Sequence, residues 1–415
     1  MNKYSYTSVL DPETRLARVK YLCSLLHNPQ NSFQSVHIAG TSGKTSVAKF
    51  IQRLLSEHGY LVGSLESPVI HSTEEYIRLD GTPISSDNLE LIFDKIDQVI
   101  PDIVKKYGEA PTFFEIIPVA AFLYFFEKKV DFAVIEVGIG GLLDSTNVIS
   151  RKDKFSVITQ IGYDHQSILG NTIEEIIHQK VGIIPRGGQV VIQEQQDHLA
   201  NIYLEECINK RTSHRVVDAE IVNTESQICM IKDDHIGPIN YISDLYRLNV
   251  QTALSCFYLI TKSHQKEYDS QKIVRACSGV SFEGRFEVIK NTDKIWIFDG
   301  AHNVQKVQGV IESVQGNFKQ MQPEELQIIC GFSEGKDSNE MVRILSRSSQ
   351  RTILAFEFDH PFKRSLPFGT DLGPDVVWQT IEQIEQVISS PGVRYILVIG
   401  SFYIIYPMKR YFLSG

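Results

Sequence analysis

Between Ile38 and Phe50 the chain reads Ile-Ala-Gly-Thr-Ser-Gly-Lys-Thr-Ser-Val-Ala-Lys-Phe, an apolar strand end followed by a tight turn, a lysine and two hydroxyls. A turn of this kind aims successive backbone N–H groups at an anion, and the helix behind it adds its positive end. Lys44 supplies a mobile cation for outer phosphates, and Thr45 or Ser46 a hydroxyl for a magnesium ion. Gly40, Thr41, Ser42, Gly43, Lys44, Thr45 and Ser46 are therefore the expected phosphate cradle. The glycine usual five positions before Gly43 is replaced by Ile38, so the loop is a shortened variant.

Further along, residues 130–141 read as a buried strand that ends in an acid and then a glycine turn, with Asp144, Thr146 and Asn147 just beyond. Open parallel sheets place ligands past such carboxyl ends. A second strand ends at Gly162-Tyr163-Asp164-His165, followed about one helix later by Gln179-Lys180. His165 is read as either a structural residue or a cation ligand. Glu115, in Thr112-Phe113-Phe114-Glu115, either favours a helix N-terminus or ligates magnesium, which prefers hard oxygen donors. Gly284-Arg285 precedes a strand that ends in Asp299-Gly300-Ala301-His302-Asn303. That turn reads as an N-cap or as a lobe closing over a nucleotide.

Short apolar runs alternate with amphipathic stretches, which predicts α/β architecture with parallel sheets and covering helices. Strands are expected at 35–39, 130–137, 155–161 and 189–193, and again at 294–298, 326–330, 352–356 and 395–400. Helices are expected to about His58, over 89–107 and 115–127, then near 304–314, 338–346 and 377–389. A boundary near 282–284 divides the chain into a nucleotide-binding domain, 1–283, and a smaller α/β domain, 284–415. The stretch from 198 to 243 is polar and uninformative.

The 41 basic and 50 acidic residues give a net charge of −9, which argues against general affinity for nucleic acid or an anionic membrane. Six scattered cysteines without a C-x-x-C pair signal neither a disulfide framework nor a zinc knuckle. No apolar run is long enough to span a bilayer. A cytoplasmic protein, and a monomer, is the expectation.

Taken in order, these segments resemble the folylpolyglutamate synthase and dihydrofolate synthase family of the Mur ligase superfamily. The resemblance rests on Ala-Gly-Thr-Ser-Gly-Lys-Thr-Ser, Ser67-Pro68, the Arg-Leu-Asp-Gly-Thr-Pro-Ile-Ser stretch at 78–85, Thr-Phe-Phe-Glu, and Glu-Val-Gly-Ile-Gly-Gly-Leu-Leu-Asp-Ser-Thr-Asn. It continues through Asp164-His165, Lys180-Val-Gly-Ile, Gly284-Arg285-Phe-Glu, Asp-Gly-Ala-His-Asn and Gly400-Ser401-Phe402. It implies a Mur-ligase-like fold: a P-loop, parallel-sheet ATP-binding domain followed by a smaller Rossmann-like α/β domain. The implied activity is ATP-dependent joining of a carboxylate to the amino group of L-glutamate, through an acyl phosphate, with release of ADP and phosphate. Reduced folate or dihydropteroate would be the acceptor.

By the same resemblance, Lys44, Glu115, His165 and Lys180 are the catalytic set. Two Mg²⁺ sites are implied, with Ser67 and Glu115 at the first and Glu115, His165 and a carbamylated Lys180 at the second. Phe114 and Asp144 match positions near the pterin. Gln251, Arg285, Asp299 and His302 match positions reaching the nucleotide, so catalysis would require domain closure. The chain departs from the pattern at Thr45 (usually glycine), Leu142 (arginine), Val69 (histidine), Tyr76 (arginine) and Gln251 (asparagine). These changes fall mainly on substrate-facing segments. Two other readings are a Mur-type ligase acting on a non-folate carboxylate, such as a cell-wall precursor, and a nucleotide-binding regulator without turnover.

Overall fold

The structure is a computed structural model of the 415-residue chain, and it describes residues 4–67, 69, 72–193, 197–210, 213–216, 219–222, 228–231, 234–238, 244–278, 282–359 and 364–413. Pro68 of the Ser-Pro pair and parts of 198–243 lie outside the described residues. The chain divides into two compact units, one of residues 1–241 with 246–280, the other of 242–245 with 281–415.

In chain order the first unit contains α1 (Pro12–Leu25), β1 (Gln34–Ala39), α2 (Lys44–Glu57), β2 (Val62–Leu65), β3 (Ile77–Leu79), β4 (Thr82–Pro83), α3 (Ser86–Asp97), α4 (Ile100–Tyr107), α5 (Phe113–Lys128) and β5 (Phe132–Glu136). It continues with β6 (Phe155–Ile158), α6 (Gln166–Leu169), α7 (Ile173–Val181), β7 (Gln189–Ile192), α8 (Asp197–Asn209), β8 (Ser213–Val216), β9 (Ala219–Val222), β10 (Ile228–Ile231), β11 (Asp234–Pro238), α9 (Asp244–Ser263, all but its first two residues) and α10 (Ser270–Cys277). The helix expected over 89–107 is two helices, because Pro101 cannot donate to a continuing ladder and instead opens α4.

Eight strands form one sheet in the order β4-β3-β2-β5-β1-β6-β7-β8. From β2 to β8 the pairing is parallel, and β3 and β4 add an antiparallel edge. Strand β1 is central, and Val36, Ile38 and Ala39 are fully buried, as expected for a parallel strand covered on both faces. Its register sets Ile38 beside Glu136 of β5 and Ala39 beside Ile158 of β6. The carboxyl ends of three neighbouring strands thus converge on one edge. Strands β9 to β11 form a small antiparallel sheet in the stretch that the sequence left blank.

Helix α5 is apolar around its whole circumference and buried from Phe113 to Phe125, except at Phe114. It is the centre of a core that also takes in Val19 and Leu22 of α1, Ile92 and Ile96 of α3, and Ile135 of β5. A second core, with Ile158, Ile176, Ile177, Val181 and Val190, holds α7 to the sheet near β6 and β7. Burying side chains of this size contributes roughly 1.5–3 kcal/mol each.

The second unit carries β12 (Glu287–Asn291), β13 (Lys294–Asp299), α11 (Val304–Asn317), β14 (Leu326–Cys330), α12 (Ser338–Ser346), β15 (Ile353–Ala355), β16 (Val376–Trp378), α13 (Ile381–Ile388), β17 (Tyr395–Ile399) and α14 (Phe402–Phe412). Its sheet runs β12-β13-β17-β14-β15-β16, parallel except for β12. Among the described residues no helix is long and apolar enough to cross a membrane.

Candidate functional site

The turn between β1 and α2 is built for close approach. Gly43 has φ +88°, and a Cβ there would stand 2.4 Å from Asn249 Oδ1 on α9. Glycine is the residue that fits both constraints. Thr41 and Ser42 donate their amides to the Gln160 carbonyl at 2.8 and 3.1 Å, and the Thr41 hydroxyl donates to Gly162 O at 2.9 Å. These bonds tie the loop to the segment that follows β6. Ser42 Oγ is buried with no hydrogen-bond partner among the described residues, a polar atom that a bound anion could satisfy.

Two lysines converge on this turn. Lys44 Nζ lies 3.2 Å from Gly40 O, and Lys180 Nζ, carried by α7 and buried, lies 3.0 Å from the same oxygen. Beside them, the buried Thr45 hydroxyl is 3.0 Å from Ser67 O and 2.9 Å from Glu136 Oε1, while Ser67 N donates to Glu136 Oε2 at 3.1 Å. A hydroxyl, a carbonyl and a carboxylate therefore meet at the first turn of α2. That donor set suits Mg²⁺, which is commonly held by one or two carboxylates together with substrate phosphates. Among the described residues no three His, Cys, Asp or Glu side chains cluster in a way that would hold a metal alone. Ser46 is buried in the same turn.

Glu136 is the residue that sequence reasoning passed over. It was visible as the acid ending a buried strand, but its place beside Thr45 depends on the pairing of β5 with β1.

Glu115 is placed elsewhere, against the expectation that it ligates a cation. Arg18 grips it as a fork, Nε to Oε1 at 3.0 Å and Nη2 to Oε2 at 2.7 Å. Thr112 adds its amide and hydroxyl to Oε2 at 2.8 and 2.7 Å. The carboxylate completes a capping box at the start of α5 and neutralises an arginine that is itself fully buried. Its neighbour Phe114 is 52% exposed and meets Tyr6 edge-on at 5.8 Å.

His165 follows the Gly162 anchor in left-handed backbone, φ 52°, with Nε2 3.9 Å from Asp164 Oδ1. Part-buried Asp144 accepts the Ile139 amide at 3.0 Å and the amide and hydroxyl of Thr146, and burial raises its pKa. It folds the glycine turn after β5. Leu142, in place of a cation, lies against Gly182 at the end of α7. On α9, Gln251 is buried, and Asn249 both faces Gly43 and accepts from Gln193 Nε2 at 3.3 Å.

In the second unit, buried Asp299 ends β13 and accepts the amides of Phe286 and Ala301 at 2.7 and 2.8 Å. Burial pushes its pKa up to about 6, against the pull of those amides and of the Arg285 and Lys306 charges. Arg285 stacks over the Phe402 ring at 4.8 Å. His302 Nδ1 lies 2.7 Å from Gly300 O, and Lys306 Nζ lies 3.1 Å from His302 Nε2. One corner thus gathers Arg285, Asp299, His302 and Lys306.

The Mur ligase middle domain family matches residues 38–234. A Bacillus subtilis dihydrofolate synthase/folylpolyglutamate synthase is 29% identical over 358 residues, which cover 83% of this chain and 81% of that protein. The crystal structure of Mycobacterium tuberculosis folylpolyglutamate synthase with ADP and AMPPCP superposes with TM-score 0.84 at 25% identity, covering 96% of both chains. A folylpolyglutamate synthase complex with AMPPCP and folate gives TM-score 0.85 at 25% identity, over 99% of this chain and 97% of that one. The chain belongs to the family of folylpolyglutamate and dihydrofolate synthases, built around a Mur ligase middle domain.

Proposed function

We propose that this chain is an ATP-dependent ligase that adds L-glutamate to a folate-type carboxylate. The observation that carries the reading is the convergence of Lys44, Lys180, Thr45, Ser67 and Glu136 on one strand-to-helix turn. The acceptor carboxylate attacks the γ-phosphorus of ATP and displaces ADP, giving an acyl phosphate. The glutamate amine then attacks the acyl carbon, loses a proton and expels phosphate. Two anions must approach each other in the first step, so catalysis is mainly charge neutralisation and alignment.

In this reading the loop amides of residues 40–46 and Lys44 hold the triphosphate. Thr45, Ser67 and Glu136 hold a first Mg²⁺, and His165 and Lys180 contribute to a second; Glu136 takes the place first given to Glu115. Magnesium, when bound, screens the phosphate charge. Lys180 is proposed to react as the free amine with CO₂, forming a carbamate and releasing a proton, which turns one of two neighbouring cations into an oxygen donor. Phe114 is assigned to the pterin, with Asp144 shaping the adjoining turn. Gln251, Arg285, Asp299 and His302 are assigned to the nucleotide on resemblance.

The test is glutamate-dependent ADP release, measured separately with tetrahydrofolate and with dihydropteroate. Turnover with at least one is expected. Protein that binds ATP yet turns over neither would remove the folate reading.

A further inference from the structure

Four side chains in the first unit form a continuous polar chain behind the glycine turn. Lys154, just before β6, is buried, with Nζ 3.4 Å from His37 Nδ1 and 3.5 Å from Ile149 O. Fully buried His37 on β1 places Nε2 2.8 Å from Thr146 Oγ1, and the Thr146 hydroxyl donates to Asp144 Oδ1. We propose that Lys154 and His37 are positioning residues for Lys180, acting by orienting Thr146 and Asp144 and through them the turn that clasps α7.

The direction of the chain follows from donor arithmetic. A protonated lysine has no lone pair, so it donates to Nδ1, and the one proton of a neutral imidazole must then lie on Nε2. Thr146 Oγ1 accepts that proton's hydrogen bond and has its own hydrogen left for Asp144. Burial holds His37 well below its ordinary pKa, which keeps the ring neutral, and lowers Lys154 to about 7.

Asp144 in turn fixes the Ile139 amide. The turn beyond grips α7 at three points. Leu142 N donates to Gln179 O at 2.6 Å, Asn147 Nδ2 reaches Leu142 O at 3.0 Å and Gly182 O at 3.3 Å, and a Cβ on Gly141 would fall 2.6 Å from Gln179 O and 3.0 Å from Lys180 O. Lys180 reaches Gly40 from the helix so held.

The inference rests on the ligase reading in taking Lys180 as a site residue, but two of its readouts need no turnover. In the full chain labelled with ¹⁵N-histidine, long-range ¹H–¹⁵N spectra near pH 6, below the Lys154 pKa so that its ammonium is the donor, with His37 assigned by its loss in His37→Gln, should show the Nε2–H tautomer. The opposite tautomer in the wild type overturns the proposal whatever any variant does. Lys154→Met, and independently Thr146→Val, should speed amide exchange at Ile139 and Leu142 by about tenfold or more. With glutamate and folate, kcat should drop by about tenfold while ADP affinity stays within about twofold. Unchanged exchange in either folded variant overturns the proposal, as does unchanged kcat in a turnover-competent background. If the wild type turns over no folate, the ligase reading fails and the tautomer and exchange results still decide this one.

Discussion

Lys44 and Lys180, 136 positions apart in the sequence, direct their ammonium groups at a single acceptor, Gly40 O, at 3.2 and 3.0 Å. The two charges are therefore no more than about 6 Å apart, where like charges repel by roughly 3 kcal/mol at an effective dielectric near 20. An arriving triphosphate would relieve that repulsion, and so would the carbamylation proposed for Lys180.

Lys180→Ala should lower glutamate-dependent ADP release by about 100-fold or more. Bicarbonate cannot restore a missing amine, whereas a short carboxylic acid such as acetate should recover part of the rate by supplying the oxygen donors. In the wild type, ¹³C-bicarbonate should give a carbamate carbon resonance that Lys180→Ala lacks. Normal turnover by the variant would remove Lys180 from the site.

Glu136 and Glu115 give opposite expectations. Glu136→Gln should leave the unfolding midpoint nearly unchanged and cut kcat by about 100-fold, with the magnesium concentration for half-maximal rate raised. Glu115→Ala takes the forked partner from a fully buried Arg18, leaving it Glu109 at 3.7 Å, and should cost about 3 kcal/mol of stability, read as a lowered urea midpoint, with kcat per folded molecule retained. The reverse pattern would return the metal to Glu115.

This pair also marks what the sequence could disclose. The loop at 38–50 was legible because glycine, lysine and hydroxyl spacing is a local matter, and the strands that feed the site were legible from their apolar runs. Thr112-x-x-Glu115 spelled a capping box, yet Arg18, which occupies the carboxylate, lies 97 residues away and declares itself only through the packing of α1 on α5. Glu136 needed the register Ile38 to Glu136 across β1 and β5. Asn249 facing Gly43 likewise depended on where α9 lies against the loop.

Asp299 predicts a pH dependence of stability in the second unit. Its folded pKa, about 6, lies above the ordinary 3.8, because burial disfavours the carboxylate. The folded state then binds more protons than the unfolded one between these values, so stability falls as pH rises from about 4 to about 6 and levels off above. The change is on the order of 2–3 kcal/mol. Denaturant midpoints across that window should show the slope in the wild type and lose it in Asp299→Asn. A wild-type profile that is flat or rises would contradict the assignment.

Gly43→Ala tests the loop itself. The substitution meets two obstacles: an alanine at φ +88° is strained by about 1–2 kcal/mol, and its Cβ collides with Asn249 Oδ1 at 2.4 Å. ADP affinity, measured by calorimetry, should fall by more than about tenfold while the circular dichroism spectrum is kept. Adding Asn249→Gly removes the collision but not the backbone strain, so the double variant should regain part of the affinity. Complete recovery would show that the collision alone matters, and undiminished binding in Gly43→Ala would show that the nucleotide does not use this turn. The site model depends on that second result not being found, since every residue assigned to phosphate and cation in the first unit is anchored to this turn or to the strand ends beside it.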